Sequence, residues 1–327
     1  MSVTRFYLEA VMKIVIVGGG AIGRLFAAFL ARGGHDLTII DSNKEVVEGI
    51  NREGVALMEL GESNPDLVSR RPVKAANDPS TVNQCDLVLL TVKSQATLTA
   101  ASSIAHLVSE KSPILTLQTG LDNIEILEKL FDSNFILAGF TFMSATSLGP
   151  SRVRHGGMGK TYLGELNGGF SPRLELICKE FIHCGIMSQM VHRILGRLWC
   201  KVIVYSAINP LSSILRIPNG HLLTKMESVT LMKRLLDEGT RVAEAASIDL
   251  VYPDLYELLF DACKQSAGNL SSMLQDLLDD RATEIDALNG AICRRGEEYG
   301  VATPTHHTMV QLIKLLERWK PGFDGRY

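Results

Sequence analysis

In the run LWCKVIVYSAINPLSS, residues 198–213, a lysine stands among apolar neighbours, and Lys201, Tyr205 and Asn209 follow one another at intervals of four. On a helix that spacing spreads the three side chains over roughly 80° of one face, a polar stripe on an otherwise apolar cylinder. A buried ammonium must find a partner or give up part of its basicity. Either state suits a group that hands a proton to an oxygen acquiring negative charge. The competing reading is a lysine that snorkels to solvent at a domain edge. Pro210, directly after Asn209, removes a backbone N–H, which frees a carbonyl and kinks the axis.

A second group of residues lies near the start of the chain. In KIVIVGGGAIGRLFAAFLARGGHDLTIID, Gly18, Gly20 and Gly23 form GxGxxG between a β-branched run and a helix. The helix is expected from about Ala21 to Arg32, stopped by Gly33-Gly34, with LTII as the next strand. In such a βαβ unit the first glycine allows the tight turn, and the second lets the backbone approach a pyrophosphate. The third lets helix and strand pack closely. The free N–H groups of the first turn, around Ala21 and Ile22, then meet the phosphate charge. The alternative is a glycine turn that binds no nucleotide. Asp41 closes the second strand, where its carboxylate can accept the ribose hydroxyls and would repel a 2′-phosphate. That favours NAD(H). Ser42, Asn43 and Lys44 could still build a phosphate site, which leaves NADP(H) open, and Asp41 could also cap the following helix.

Strands alternate with helices through the first half. DLVLLTVK and PILTLQTG read as strands that end where loops begin, and FILAGFTFMSATSLG is β-rich. The Gly-rich SRVRHGGMGKTYLGE reads as a hairpin or meander. This predicts an α/β, Rossmann-like doubly wound domain over 12–190. From about residue 190 every segment has helical period, DDRATEIDALNGAICRRGEEYG included, which predicts an all-α domain over 191–327.

The whole chain bounds the partners. With 327 residues, 46% of them hydrophobic, and 33 Lys plus Arg against 36 Asp plus Glu, it reads as an ordinary globular chain. No basic block points to nucleic acid, and no stretch reads as a membrane span. Residues 1–11 look like a short, poorly ordered extension. Six scattered cysteines without a CxxC pair predict reduced, mostly buried thiols in the cytoplasm. His306 and His307 read as a solvated pair rather than a metal site.

GGGAIG, LTVKS, LQTGLDN, GPSRVRHGGMGKTYLGE, KVIVYSAINPLSSILRIPNG and SSMLQDLLDDRATEID followed by NG together resemble the ketopantoate reductase (2-dehydropantoate 2-reductase) family. The resemblance runs from about Met12 to Trp319. It implies reduction of a 2-keto acid by a nicotinamide cofactor in a cleft between the two domains. It also implies that Lys201 polarises and protonates the keto oxygen, with Glu284 orienting the site. Ser272 would bind the substrate carboxylate and Asn209 face its hydroxyl end, while Lys93, Thr119 and Gly120 fall on the cofactor side. At two positions the chain departs from the family pattern: Thr119 and Tyr205 stand where asparagines are usual. Both positions line the implied cleft, so the departures bear on substrate choice, because hydrogen-bonding sites discriminate better than apolar ones.

Three readings follow: ketopantoate reduction, reduction of another branched or larger 2-keto acid, and a cofactor-binding sensor without turnover. A dehydrogenase of opines or 3-hydroxy acids would carry a different dyad. The apolar helix around Ile203 could also serve a homodimer interface.

Overall fold

The computed structural model describes residues 11–64 and 66–318, so most of the expected N-terminal extension lies outside the described residues. The β-branched runs become buried strands because both faces of a parallel sheet are covered by other elements. β1 (Lys13–Val17) is flanked in parallel by β2 (Asp36–Ile40) and β6 (Leu87–Leu90). Beyond β2 lies β5 (Lys74–Ala76); beyond β6 come β7 (Ile114–Thr116) and β8 (Ile136–Thr141), all parallel. β11 (Thr161–Glu165) runs antiparallel to β8, and β12 (Ser188–Met190) closes the eight-stranded sheet.

A second sheet, in the order β4 (Ser69–Arg71), β3 (Val55–Met58), β10 (Arg152–Gly157), β9 (Ser144–Ser147), sits apart from the first. The SRVRHGGMGKTYLGE segment is therefore no hairpin: its two strands, β10 and β11, belong to different sheets. The crossing passes so close to Phe142 that a Cβ on Gly159 would lie 2.2 Å from a backbone carbon. Between the sheets runs α1 (Ala21–Arg32), whose Phe26 meets Phe181 of α5 (Pro172–His183) edge-on at 5.8 Å. It ends where Gly34 takes φ 91°, a conformation that suits glycine. The remaining helices of this half are α2 (Lys44–Glu53), α3 (Thr97–Ser103) and α4 (Asp122–Glu128).

Past β12 the described residues are helical: α6 (Ile194–Leu215), α7 (Met226–Ala245), α8 (Leu255–Gln265), α9 (Ser272–Leu278), α10 (Asn289–Tyr299) and α11 (Pro304–Arg318). α6 is the hub and packs on α7, α8, α9 and α11 as well as on β8 and β11. Its length and apolarity would suffice for a membrane crossing, but 83% of its apolar window is buried inside the protein. Ile203, Val204 and Ile208 are sealed, each burial contributing roughly 1.5–3 kcal/mol. The helix continues through Pro210. The carbonyl that Pro210 cannot bond, that of Ser206, accepts instead from Asn289 Nδ2 at 2.9 Å, so a side chain offsets the missing backbone donor.

Two expectations fail in this half. The RATEID segment is not helical: α9 stops at Leu278, Asp280 takes φ 56°, and α10 starts only at Asn289. Tertiary bonds hold this loop, among them Thr283 N–H to Glu317 at 2.7 Å. His306 is not solvated: it is buried, shares a hydrogen bond with Asn289, and lies 2.9 Å from the Leu235 carbonyl. Burial pulls its imidazole down to about 4, so it stays neutral in ordinary buffers. The cysteines are free, and all but Cys85 are buried.

Candidate active site

The glycine loop follows β1 at the point where the strand order reverses between β1 and β6, the usual ligand crevice of an open α/β sheet. Gly18 takes φ 108°, and a Cβ there would meet Val92 N at 2.7 Å. A Cβ on Gly23 would sit 2.0 Å from the Gly18 carbonyl oxygen, so helix and turn close only over hydrogen. Gly20 differs: it is exposed, and a Cβ there would meet nothing within 4 Å. The space in front of it is therefore open. The N–H groups of Ala21, Ile22 and Gly23 find no acceptor among the described residues, and no side chain caps the helix. An open cradle lined with free N–H donors fits a dinucleotide pyrophosphate.

Asp41 stands beside this loop. Its Oδ2 accepts from Gly19 N–H at 2.6 Å and its Oδ1 from Asn43 N–H at 2.7 Å, which fixes the carboxylate at the tip of β2. It does not cap α2. That cap is Asn43, which accepts from Glu45 N–H at 2.9 Å.

Lys201 projects from α6 toward the carboxyl ends of β7 and β8. Its Nζ donates to Thr141 O at 2.8 Å and to Thr119 Oγ1 at 3.0 Å. The rings of Phe140, Phe142 and Tyr205 lie 5.3, 5.4 and 5.6 Å from it, within cation–π range. An ammonium has three N–H donors; two are engaged here, which leaves one. Burial drags the ammonium from an ordinary 10.5 to about 8, while the charge of Glu284 pulls the other way. The lysine is thus held inside rather than snorkelling, and one departure from the family pattern, Thr119, is its hydrogen-bond acceptor.

Glu284 sits in the α9–α10 loop, across from the segment that follows β6. Its Oε1 accepts from both Ser94 N–H and Ser94 Oγ, each at 2.9 Å. Burial raises its carboxyl, and the Ser94 bonds and Lys93 oppose that rise. No ion pair joins it to Lys201 among the described residues; the carboxylate acts on the ammonium through space. Lys93 reaches the helical half. Its Nζ donates to Ala282 O at 2.7 Å and pairs with the buried Asp276 at 2.7 Å.

Tyr205 is half-buried one turn further along α6 and Asn209 buried two turns along. Neither the Asn209 amide nor the Tyr205 hydroxyl bonds any described residue, and neither is sealed from solvent. Burial pushes the Tyr205 phenol up to about 12. Ser272 is exposed on the first turn of α9, while its neighbour Ser271 caps that helix and bonds Ser212 at 2.6 Å. Gly120 is buried against Ser94, Asn123 and Ala287. Sequence reasoning missed Ser94, Asn123 and Asp276 as site components, although each lies inside a motif it singled out. Thr141 and Phe142 had no local signal at all.

A glycine cradle at the switch point and a buried lysine from a helical second half define a two-domain dinucleotide-dependent enzyme plan. The chain belongs to the ketopantoate reductase PanE/ApbA family: the family's N-terminal profile matches residues 14–168 and its C-terminal profile residues 193–317. It is 30% identical over 309 residues to a 2-dehydropantoate 2-reductase of Halobacterium salinarum, covering 94% of this chain and 99% of that one. A PanE/ApbA family ketopantoate reductase structure from Ralstonia eutropha superposes with TM-score 0.82 at 30% identity, over 94% of this chain and 99% of that one. The ternary structure of D-mandelate dehydrogenase with NADH and anilino(oxo)acetate superposes with TM-score 0.88 at 26% identity and the same coverage.

Proposed function

We propose that the protein reduces 2-dehydropantoate to pantoate, taking the hydride from NADH or NADPH in the cleft between residues 12–190 and the helical half from 191 on. The observation that carries this reading is the Lys201 ammonium, held by two bonds at the carboxyl ends of β7 and β8 with one N–H uncommitted. A reduced nicotinamide bound along the glycine loop supplies the hydride. The remaining work falls to the chain. The free N–H of Lys201 donates to the keto oxygen, and its charge favours the polarised carbonyl. As the keto carbon gains hydride, the oxygen takes the Nζ proton, and solvent restores it to the lysine. An ammonium titrating near 8 is about ten parts protonated to one at pH 7, so the acid is ready and still a good donor. Glu284 keeps negative charge near the ammonium, Asn209 offers its amide to the substrate's hydroxyl end, and Ser272 offers its hydroxyl to the carboxylate. Asp41 supports a preference for NADH. The buried free thiols suit a reducing cytoplasm.

A second reading has a specific observation behind it. Phe142 and Tyr205 stand half-buried beside Lys201 with centroids 6.3 Å apart, and they make that wall of the cleft aromatic rather than amide-lined. Such a wall suits a larger, apolar 2-keto acid, as does the likeness to D-mandelate dehydrogenase. The test follows NADH and NADPH oxidation with 2-dehydropantoate and with phenylglyoxylate, in the wild type, Lys201→Ala and Tyr205→Asn. Turnover of 2-dehydropantoate that vanishes in Lys201→Ala supports the main reading. Faster phenylglyoxylate turnover, shifted roughly tenfold toward 2-dehydropantoate by Tyr205→Asn, supports the second. Tight cofactor binding without turnover of either compound sinks both.

A further inference from the structure

The dipeptide Lys93-Ser94, at the end of the β6 loop, grips the helical half at three places. Lys93 holds Ala282 O and the Asp276 carboxylate, and Ser94 holds Glu284. Both donors of Ser94 converge on one oxygen, Oε1. The other, Oε2, takes no bond from the described residues and is not sealed from solvent. Ser94 is itself fixed from behind: its Oγ accepts from Asn123 Nδ2 at 3.0 Å, and Asn123 Oδ1 accepts from Thr97 at 2.8 Å. Thr97 Oγ1 accepts in turn from Gln118, which also donates to Val92 O at 2.9 Å. A buried relay thus runs from beneath the glycine loop to the Glu284 carboxylate.

We propose that Ser94 is a positioning residue that fixes Glu284 by Oε1 and presents Oε2 to the cleft, so that the chain segment bordering the cofactor loop sets the geometry of the acid facing Lys201. The proposal rests on the reading of Glu284 as a working carboxylate. The charged groups that bear on Glu284 are Lys93 and Asp276, with Arg281 paired to Asp276 at 3.2 Å and Lys201 across the cleft. Against that background the two Ser94 donors favour the ionised carboxylate. Removing the hydroxyl therefore lets the Glu284 carboxyl titrate higher.

The experiment compares the wild type, Ser94→Ala, Ser94→Thr, Glu284→Gln and the Ser94→Ala/Glu284→Gln pair across pH. In Ser94→Ala, kcat should fall roughly ten- to a hundredfold, the worth of one hydrogen bond to a charged group. The acid limb of the profile should move to higher pH, and Ser94→Thr should restore both. The double variant should be no slower than Glu284→Gln alone, because Ser94 acts only through that carboxylate. An unmoved acid limb, or losses that multiply in the double variant, overturns the proposal. Failure of the wild type itself to turn over a 2-keto acid strikes the functional reading instead. The two failures are thus distinguishable.

Discussion

Replacing Lys201 with methionine should abolish reduction and at the same time leave the fold at least as stable. Lys201 is 7% exposed, and burial lowers its ammonium from 10.5 to about 8. At 1.36 kcal/mol per pKa unit, that displacement corresponds to roughly 3 kcal/mol held against the folded state at neutral pH. Methionine nearly matches the lysine stem and suits the surrounding Phe140, Phe142 and Tyr205 rings. It leaves Thr141 O without its donor, which costs roughly 1–3 kcal/mol. The net change at pH 7 lies between about zero and 2 kcal/mol in favour of the variant. The sign with pH follows from proton counting. Between 8 and 10.5 the unfolded chain keeps the lysine proton that the folded chain has lost, so wild-type stability rises with pH across that window. The variant lacks this gain. Urea unfolding at pH 7, 8 and 9.5, read from the fluorescence of buried Trp199 in α6, measures the gap directly. The gap should move by about 2 kcal/mol toward the wild type between pH 8 and 9.5. A variant destabilised at pH 7 by several kcal/mol, with a gap indifferent to pH, would refute the reasoning.

Two glycine substitutions should separate cofactor binding from folding. Gly20→Ala meets nothing in the free protein and should melt like the wild type while losing affinity for NADH, whereas Gly23→Ala forces a 2.0 Å contact with Gly18 O and should lower the melting temperature; calorimetry with cofactor titration reads both. Asp41→Asn keeps acceptors only on one side of its group, so the Gly19 or Asn43 tether loosens; the ratio of KM for NADPH to KM for NADH should fall roughly tenfold or more, and an unchanged ratio would remove Asp41 from cofactor choice.

How much of this was legible beforehand varies with the reach of the interaction. Ala21–Arg32 came out at its predicted bounds because its start and stop are local: glycines on either side and an apolar period between them. The α6 stripe was legible for the same reason. RATEID was misread as helix because its sequence tolerates that conformation, and the bonds that forbid it come from Lys93 and Glu317, nearly two hundred residues before it in one case. The β10–β11 connection was misread because nothing within it reveals which sheet each strand will join.

By itself, then, the sequence determined the two-part plan, the glycine turn between β1 and α1 and the polar stripe that carries Lys201. These depend on steric rules and periodicities that act within a few turns of chain. Only the tertiary structure decided what surrounds that lysine: a threonine hydroxyl and a strand-end carbonyl bonded to it, three rings within cation–π range, and a carboxylate that Ser94 holds at a distance. Burial, and hence the proton affinity of Lys201, is a property of that enclosure. It arises from groups drawn from four separate parts of the chain, and no local rule could have summed them.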